Sequence, residues 1–447
     1  MKDGGAMKVQ CLKGFRDYLP EEMLQKDRML RAVQQVFECH GYPPLMTPAL
    51  EYSEILLGKY GEEGEMLLYR FRDNGDRDVA LRYDLTVPLA RVLAEHGEIT
   101  MPFRRYQIAP VWRAEKPARG RFREFMQCDV DLVGADTAAA DAEMLVIGSA
   151  VMKALGISGF RIRINHRGIL GALCRLAGLS SAGEVEFLRL LDKLDKIGAD
   201  AFRDQVGKIS GIDEAGVESV LKIVLASTGD SRQVLQRLED ALGSDAEAAS
   251  SIERMRKVLD LVEASGAAQQ CHIDPSIARG LSYYTGLVYE TYLDELPGFG
   301  SVMSGGRYDG LVGMFSGKDL PAIGISLGID RLFSAIKEMD LLEDRSQPAE
   351  VLAVQFSEDL APATFEVAAR LRRAGIATVV YPREAKMKKQ LQFAQKAGIP
   401  FVVVIGEDEK SRGTLQLRDM EKGSQQEITI EEAIRIIGAV VSEETGQ

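Results

Sequence analysis

Two long strand-like runs, FRRYQIAPVWRAE (Phe103 to Glu115) and GRFREFMQCDVDLVG (Gly120 to Gly134), are separated only by the short connection KPAR. Strands joined so closely favour an antiparallel pair, because a parallel pair needs a crossover of a dozen or more residues. The connection is basic, KPARGRFR from Lys116 to Arg123, and is expected to be mobile. An antiparallel sheet at the centre of the chain is therefore the first constraint on its fold.

At 447 residues the chain is too long for one ordinary core and should form two or three domains. Upstream of the strand pair, Met23, Met29, Leu30, Val33, Val36 and Phe37 keep helical spacing after a Pro20–Glu21–Glu22 start, and Gly41 stops that helix. Prolines 43, 44 and 48 then force GYPPLMTPALEY into an extended form. MLLYRFRD and VALRYDLTVPLARVLAEH predict a hairpin followed by a helix starting near Thr86 and Pro88. Downstream, a helix of small residues is expected from Asp136 to about Leu155 and a strand over Phe160 to Asn165. Residues 170–268 are rich in leucine, alanine and charge, with few strand signals, and predict a helical insertion. Strand patterns resume near Cys271. Past a linker at about Glu343 to Pro348, EVLAVQF, ATVVYP and FVVVIG are β-rich runs separated by helical segments, the spacing of βαβ units and a parallel sheet. No GxGxxG follows the first of them, so a dinucleotide fingerprint is lacking. The expected organisation is a core in two parts, 1–169 and 269–342, around an insertion at 170–268, with a separate α/β unit at 349–447.

The bulk numbers are those of an ordinary globular protein, 46% hydrophobic and 27% charged. No apolar run approaches the ~20 residues that span a bilayer, and MKDGGAMKVQ lacks an apolar signal core, so a cytoplasmic location and no membrane partner are expected. Cys11, Cys39, Cys128, Cys174 and Cys271 are odd in number and widely spaced, which predicts reduced and mostly buried thiols. His40, His96, His166 and His272 are not spaced as ligand pairs, and no structural metal is expected. A net charge of −12 argues against a general nucleic-acid coat but leaves local phosphate contacts open. Basic residues cluster in KPARGRFR and in YPREAKMKK, Tyr381 to Lys389.

Three further segments carry chemistry: RGLSYYTGLVYE (Arg279 to Glu290), SGGRYDGLVG (Ser304 to Gly313) and IGISLGIDRLF (Ile323 to Phe333). The first sets a fixed cation beside two adjacent tyrosines on a strand-like run. A guanidinium holds phosphate or carboxylate in a forked geometry, and tyrosines supply aromatic walls with directed hydroxyls. The combination suits an anionic nucleotide held next to a small hydrogen-bonding substrate.

RGLSYYTG and GGRYD resemble the two histidine-specific motifs of the histidyl-tRNA synthetases, and the resemblance extends over nearly the whole chain. It implies an α+β class II core with a mostly antiparallel sheet, a helical insertion and a C-terminal α/β anticodon-binding domain. It also implies ATP as substrate with Mg2+, L-histidine and tRNA-His as partners, and a homodimer built on the helix and proline-ended strand of motif 1. In motif 2, Arg113 matches the arginine bridging the amino-acid carboxylate and the α-phosphate. Glu115 matches the acidic residue facing the adenine amino group, Arg121 the γ-phosphate arginine and Phe125 the aromatic on adenine. Gly324, Gly328 and Arg331 match motif 3. Arg279 corresponds to the arginine that neutralises the α-phosphate. Asp84, Thr86 and Gln127 would hold the α-amino group, Asp131 and Tyr284 the imidazole, and Tyr283 and Tyr308 the pocket walls.

The sequence departs from that family in places. Ser282 stands where many members carry aspartate, and Asp84 and Asp131 stand where part of the family has glutamate. RFREF replaces an RQF form beside the loop expected to meet the acceptor end, where the extra 5′ guanosine of tRNA-His would lie. A regulatory paralogue, the non-charging histidine-sensing subunit of ATP phosphoribosyltransferase, shares the core. Retention of Arg113, Arg121, Arg279 and Arg331, together with the C-terminal α/β unit, favours the charging enzyme.

Overall fold

The computed structural model describes residues 9–58, 64–179, 181–227, 229–278, 283–341 and 348–445. It divides into two compact units, Met1–Asp17 with Arg28–Leu341, and Tyr18–Asp27 with Leu342–Gln447.

The helix Pro20–Cys39, which belongs to the first unit from Arg28 onward, leads into a proline-rich extended segment. A small antiparallel sheet follows, made of β1 (Leu50–Tyr52), β2 (Arg70–Arg72) and β3 (Asp78–Leu81) in the order β1-β3-β2. The helix Thr86–Glu95 leaves this sheet, its first turn bound by the Asp84 carboxylate. The anticipated strand pair is present as β4 (Phe103–Trp112) and β5 (Glu124–Val133), antiparallel over ten residue pairs. They form one side of a seven-stranded sheet, with β6 (Phe160–His166), β7 (Cys271–Ile273), β8 (Leu287–Leu293), β9 (Met303–Arg307) and β10 (Ala322–Gly328), in the order β4-β5-β10-β9-β8-β6-β7. Every pairing is antiparallel except β6 with β7.

Alternation along the strands decides what each sheet face carries. On β5, Cys128, Val130 and Leu132 turn to an apolar side, whereas Gln127, Asp129 and Asp131 turn to the other. The helix Ala138–Ala154, rich in alanine, packs against the sheet and against the helix Ala246–Ala264. A buried ion cluster ties these elements together. Asp141, fully buried in the first helix, accepts from Arg307 Nη2 of β9 and Arg254 Nε of the second helix, each at 2.6 Å.

Among the described residues the stretch expected to be helical is a run of helices from Arg167 to Ala264, broken at Gly198 within Leu194–Val206; it begins slightly earlier than its sequence boundary and stays within the first compact unit. The reading of Arg279–Glu290 as strand-like needs adjustment. Arg279 to Ser282 lie outside the described residues, and β8 begins only at Leu287. A strand sends neighbours to opposite faces, but Tyr283 and Tyr284 both enter one cleft, their ring centroids 4.5 Å apart.

The second unit holds β11 (Val351–Ala353), β12 (Thr378–Val380), β13 (Phe401–Val404), β14 (Leu415–Asp419) and β15 (Gln425–Ile428) in the order β12-β11-β13-β14-β15. The first three are parallel, as their spacing predicts, but the sheet is completed by an antiparallel hairpin, β14 with β15. That hairpin escapes the sequence pattern because LQLRD and QQEI are mainly polar. Helices Ala361–Arg373 and Ile430–Thr445 cover one face, and Met387–Ala397 covers the other.

All five cysteines are free. Cys128, Cys174 and Cys271 are buried, but Cys11 and Cys39 are exposed. No helix among the described residues is long and apolar enough to cross a membrane.

Candidate active site

The polar face of the seven-stranded sheet forms the floor of a cleft of about 510 Å³ in the first unit. Asp84, Thr86, Arg113, Glu115, Arg121, Phe125, Gln127, Asp131, Tyr283, Tyr284, Tyr308, Gly324, Gly328 and Arg331 all line it. The sequence scatters these residues over nearly 250 positions, and the strand register gathers them: Asp131 sits opposite Gly324, and Gln127 opposite Gly328, on β5 and β10. Arg279 belongs to the same set in sequence terms and lies outside the described residues.

One part of the cleft is cationic. Arg113 projects from the end of the β4 run between two rings, its guanidinium carbon 4.2 Å from the Tyr83 centroid and 5.1 Å from that of Phe125. Its Nε donates to the Tyr83 carbonyl at 3.1 Å. Sandwiching of this kind holds a guanidinium rigidly while leaving its terminal nitrogens directed outward. Arg121, on the turn between β4 and β5, is half exposed and pairs loosely with Glu115 at 3.9 Å. Gly120 brings that turn against Arg331, which stacks near Phe299 and donates to its carbonyl. Arg331 follows Asp330, whose carboxylate accepts from the Met126 amide at 2.5 Å and fastens the helix Ile329–Glu338 to β5.

The floor is acidic and phenolic. Asp131 receives the Tyr308 hydroxyl on Oδ1 and faces Arg105 Nη2 at 2.7 Å on Oδ2. Burial raises the Asp131 carboxyl, opposed by Arg105 and by the Tyr308 hydrogen bond. Asp129, two residues back on the same face, is pushed up to about 7 by burial, with Arg105 pulling the other way. Burial likewise lifts the Tyr283 hydroxyl to about 12 and those of Tyr284 and Tyr308 well above the usual phenol value. The phenols therefore remain neutral donors at physiological pH. Asp84 uses Oδ1 to accept the amides of Thr86 and Val87, at 3.1 and 3.0 Å, which fixes it at the rim of the floor.

The two motif 3 glycines differ in what they allow. A Cβ at Gly324 would stand 2.0 Å from Asp131 Oδ1 and 2.9 Å from the Val130 carbonyl, so only glycine lets Asp131 lie across β10. A Cβ at Gly328 would meet nothing closer than the Arg331 Cβ at 3.8 Å. GGRYD splits its duties by alternation, with Arg307 turned to the buried Asp141 and Tyr308 turned into the cleft.

Sequence reasoning passed over Asp129, Glu290, Ser304 and Ser326, which also line the floor, and the fully buried Arg105 beneath it. The pattern Gln127-x-Asp129-x-Asp131 on a strand was the available signal, since period-two polarity marks a wet or liganded face.

Residues 14–332 match the family described as histidyl-tRNA synthetase, and residues 350–439 match an anticodon binding domain. The chain is 42% identical to a histidine–tRNA ligase of Rhodopirellula baltica over 94% of its own length and 95% of the relative. It is 41% identical to that of Wolinella succinogenes over 98% of this chain and all of the relative. Among solved structures, the histidyl-tRNA synthetase of Nostoc superposes with a TM-score of 0.89 at 32% identity, covering 97% of this chain and 99% of the other.

Proposed function

Because the chain belongs to the histidyl-tRNA synthetase family, we propose that its cleft holds ATP over the cationic part and L-histidine against the acidic floor. The chain is a histidine–tRNA ligase: it activates L-histidine with ATP to histidyl-adenylate and pyrophosphate, then transfers histidine to the 3′ end of tRNA-His. The observation that carries the assignment of the site is the division of one cleft into a guanidinium-lined part and a carboxylate–phenol floor.

Activation requires a carboxylate to attack the α-phosphorus while pyrophosphate leaves, so two anions that repel must be aligned and the transition state neutralised. Arg113 bridges the histidine carboxylate and the α-phosphate, its orientation set by Tyr83 and Phe125. Arg279 supplies further charge at the α-phosphate. Arg121 and Arg331 take the γ-phosphate end, Phe125 stacks on adenine, and Glu115 accepts from its amino group. Gly324 and Gly328 keep β10 low beneath the nucleotide. Asp84, Thr86 and Gln127 hold the α-ammonium, Asp131 and Tyr284 the imidazole, and Tyr283 and Tyr308 the walls. A site that hydrogen-bonds its ligand so fully rejects isosteres strongly, because its own buried polar groups would go unpaired.

Among the described residues no cluster of three or more acidic, histidine or cysteine side chains forms a cation cage. Mg2+ keeps waters and substrate phosphates and takes only one or two carboxylates, so its binding needs no such cage. Glu290, a carboxylate on the cleft floor, would hold it together with the triphosphate. The ion would supply charge neutralisation on the phosphates.

Residues 170–268 act as an insertion within the core, and 349–447 read the anticodon. Dimerisation through motif 1 is supported by exposed apolar side chains there, Met46 at 70%, Leu50 at 43% and Tyr52 at 51%. The enzyme works in the cytoplasm. Histidine-dependent ATP–pyrophosphate exchange tests the reading, with Arg279→Ala expected to lower the exchange rate far more than it weakens histidine binding. Tight histidine binding without exchange would leave a histidine-sensing subunit instead.

A further inference from the structure

Asp129 has no part in the assignment above, yet it is 1% exposed and lies on the cleft face of β5 between Gln127 and Asp131. It faces Ser326 across the β5–β10 pair and Gln107 across the β4–β5 pair. The Ser326 hydroxyl lies beside the Asp129 carboxyl and favours its charged form. Ser326 Oγ also accepts from Gln127 Nε2 at 2.5 Å. A hydroxyl has a single proton, so once it is given to Asp129 only lone pairs are left for Gln127. The amide of Gln127 must then present its NH2 to Ser326 and its carbonyl oxygen elsewhere. That oxygen, Oε1, is buried and has no partner among the described residues, and the same holds for Asp129 Oδ1. Two acceptors without a donor on one face of one strand are rare in folded interiors. A group that only donates would satisfy the Gln127 oxygen, and an ammonium, with three N–H bonds and no lone pair, is such a group.

We propose that Asp129, acting through Ser326, is a positioning residue that locks the Gln127 carbonyl toward the cleft and thereby selects substrates bearing a free α-ammonium group. The inference rests on the assignment of Gln127 to the amino group under the proposed function. The opposite amide orientation would aim an NH2 at the ammonium, replacing attraction by repulsion. Burial raises the Asp129 carboxyl, and Arg105, Asp131 and Asp84 are the charged groups around it, with Ser326 and Gln107 as its neutral cross-strand neighbours.

The test uses the full chain in ATP–pyrophosphate exchange, with L-histidine as substrate and β-imidazolyl-lactate as competitive inhibitor. The inhibitor keeps the imidazole and carboxylate and replaces the ammonium by a hydroxyl. Ser326→Ala and Asp129→Asn should each raise KM for histidine by roughly tenfold, the worth of one charge-assisted hydrogen bond. kcat should stay within about twofold, because the interaction is shared by ground and transition states. The inhibition constant of β-imidazolyl-lactate should not rise, Ser326→Thr should restore the KM, and the double variant should cost no more than either single change. Equal losses for histidine and β-imidazolyl-lactate, or no change in either, would overturn the proposal. Gln127→Ala separates the two levels of inference. If it leaves the histidine preference intact, the amino-group assignment itself fails. If it abolishes the preference while the Asp129 and Ser326 variants keep it, only the positioning role fails.

Discussion

Arg105 Nη2 lies 2.7 Å from Asp131 Oδ2, with the arginine at 0% and the aspartate at 2% exposure. The carboxylate assigned to the imidazole is thus already bound to a fixed cation before any ligand arrives. Removing one member of such a pair leaves an uncompensated buried charge, at a cost of about 3–5 kcal/mol. Asp131→Asn should therefore lower the urea midpoint with little change in slope, in addition to weakening histidine binding. Arg105→Met combined with Asp131→Asn should recover most of the lost stability. Urea curves on the four members of this cycle test the coupling; additive losses would mean that the pair is not a unit.

The glycines of motif 3 give a sharper contrast than their shared motif suggests. Gly324→Ala would drive a methyl to 2.0 Å from Asp131 Oδ1, so it should raise KM for histidine at least about tenfold and lower stability, as overpacked cores do by ~1–3 kcal/mol. Gly328→Ala, with 3.8 Å of clearance, should change either quantity by less than about twofold. Comparable effects at both positions would sink this distinction.

The antiparallel β4–β5 pair was legible because two ten-residue strands sit only eleven residues apart, and local patterns report local pairings. The C-terminal parallel strands were legible for a similar reason, their apolar runs being separated by helical segments. What was hidden depends on distant register. Arg307 meets Asp141 across 166 positions, joining β9 to the helix Ala138–Ala154. No spacing rule reaches that far. Asp129 and Ser326 were readable only as polar residues on strands, since their apposition requires β10 to lie beside β5.

Asp129 should also leave a thermodynamic trace. Its folded value, about 7, stands above the ordinary 3.8, because burial disfavours the charged form. Between those values the folded state binds more protons than the unfolded one, so this group's contribution is full below about 4 and is lost as pH rises through 7. Asp129→Asn carries no such charge. It should be more stable than the parent at pH 8, with the advantage shrinking toward pH 5, as read from melting temperatures across that range. A constant difference at all pH values would assign the effect to packing instead.

His166 reverses that sign. The Gly168 amide donates to its Nδ1 at 3.1 Å, so the ring caps the helix Arg167–Leu176 and must keep that nitrogen unprotonated. Burial lowers its value to about 4, with Arg254 and Arg307 adding to the effect and Asp141 and Asp136 opposing it. The unfolded chain protonates near 6.5, so between 6.5 and 4 the unfolded state binds more protons. Its contribution to stability is therefore complete above 6.5 and disappears as pH falls through 4. A shift of this size corresponds to at most ~3 kcal/mol, acting on the junction where Asp141 joins the core helix to Arg254 of the helical stretch. His166→Asn retains a side-chain acceptor for the cap but does not titrate. Urea midpoints measured at pH 7.5 and pH 5 should fall further for the parent than for this variant, and parallel declines would place the acid sensitivity elsewhere in the unit.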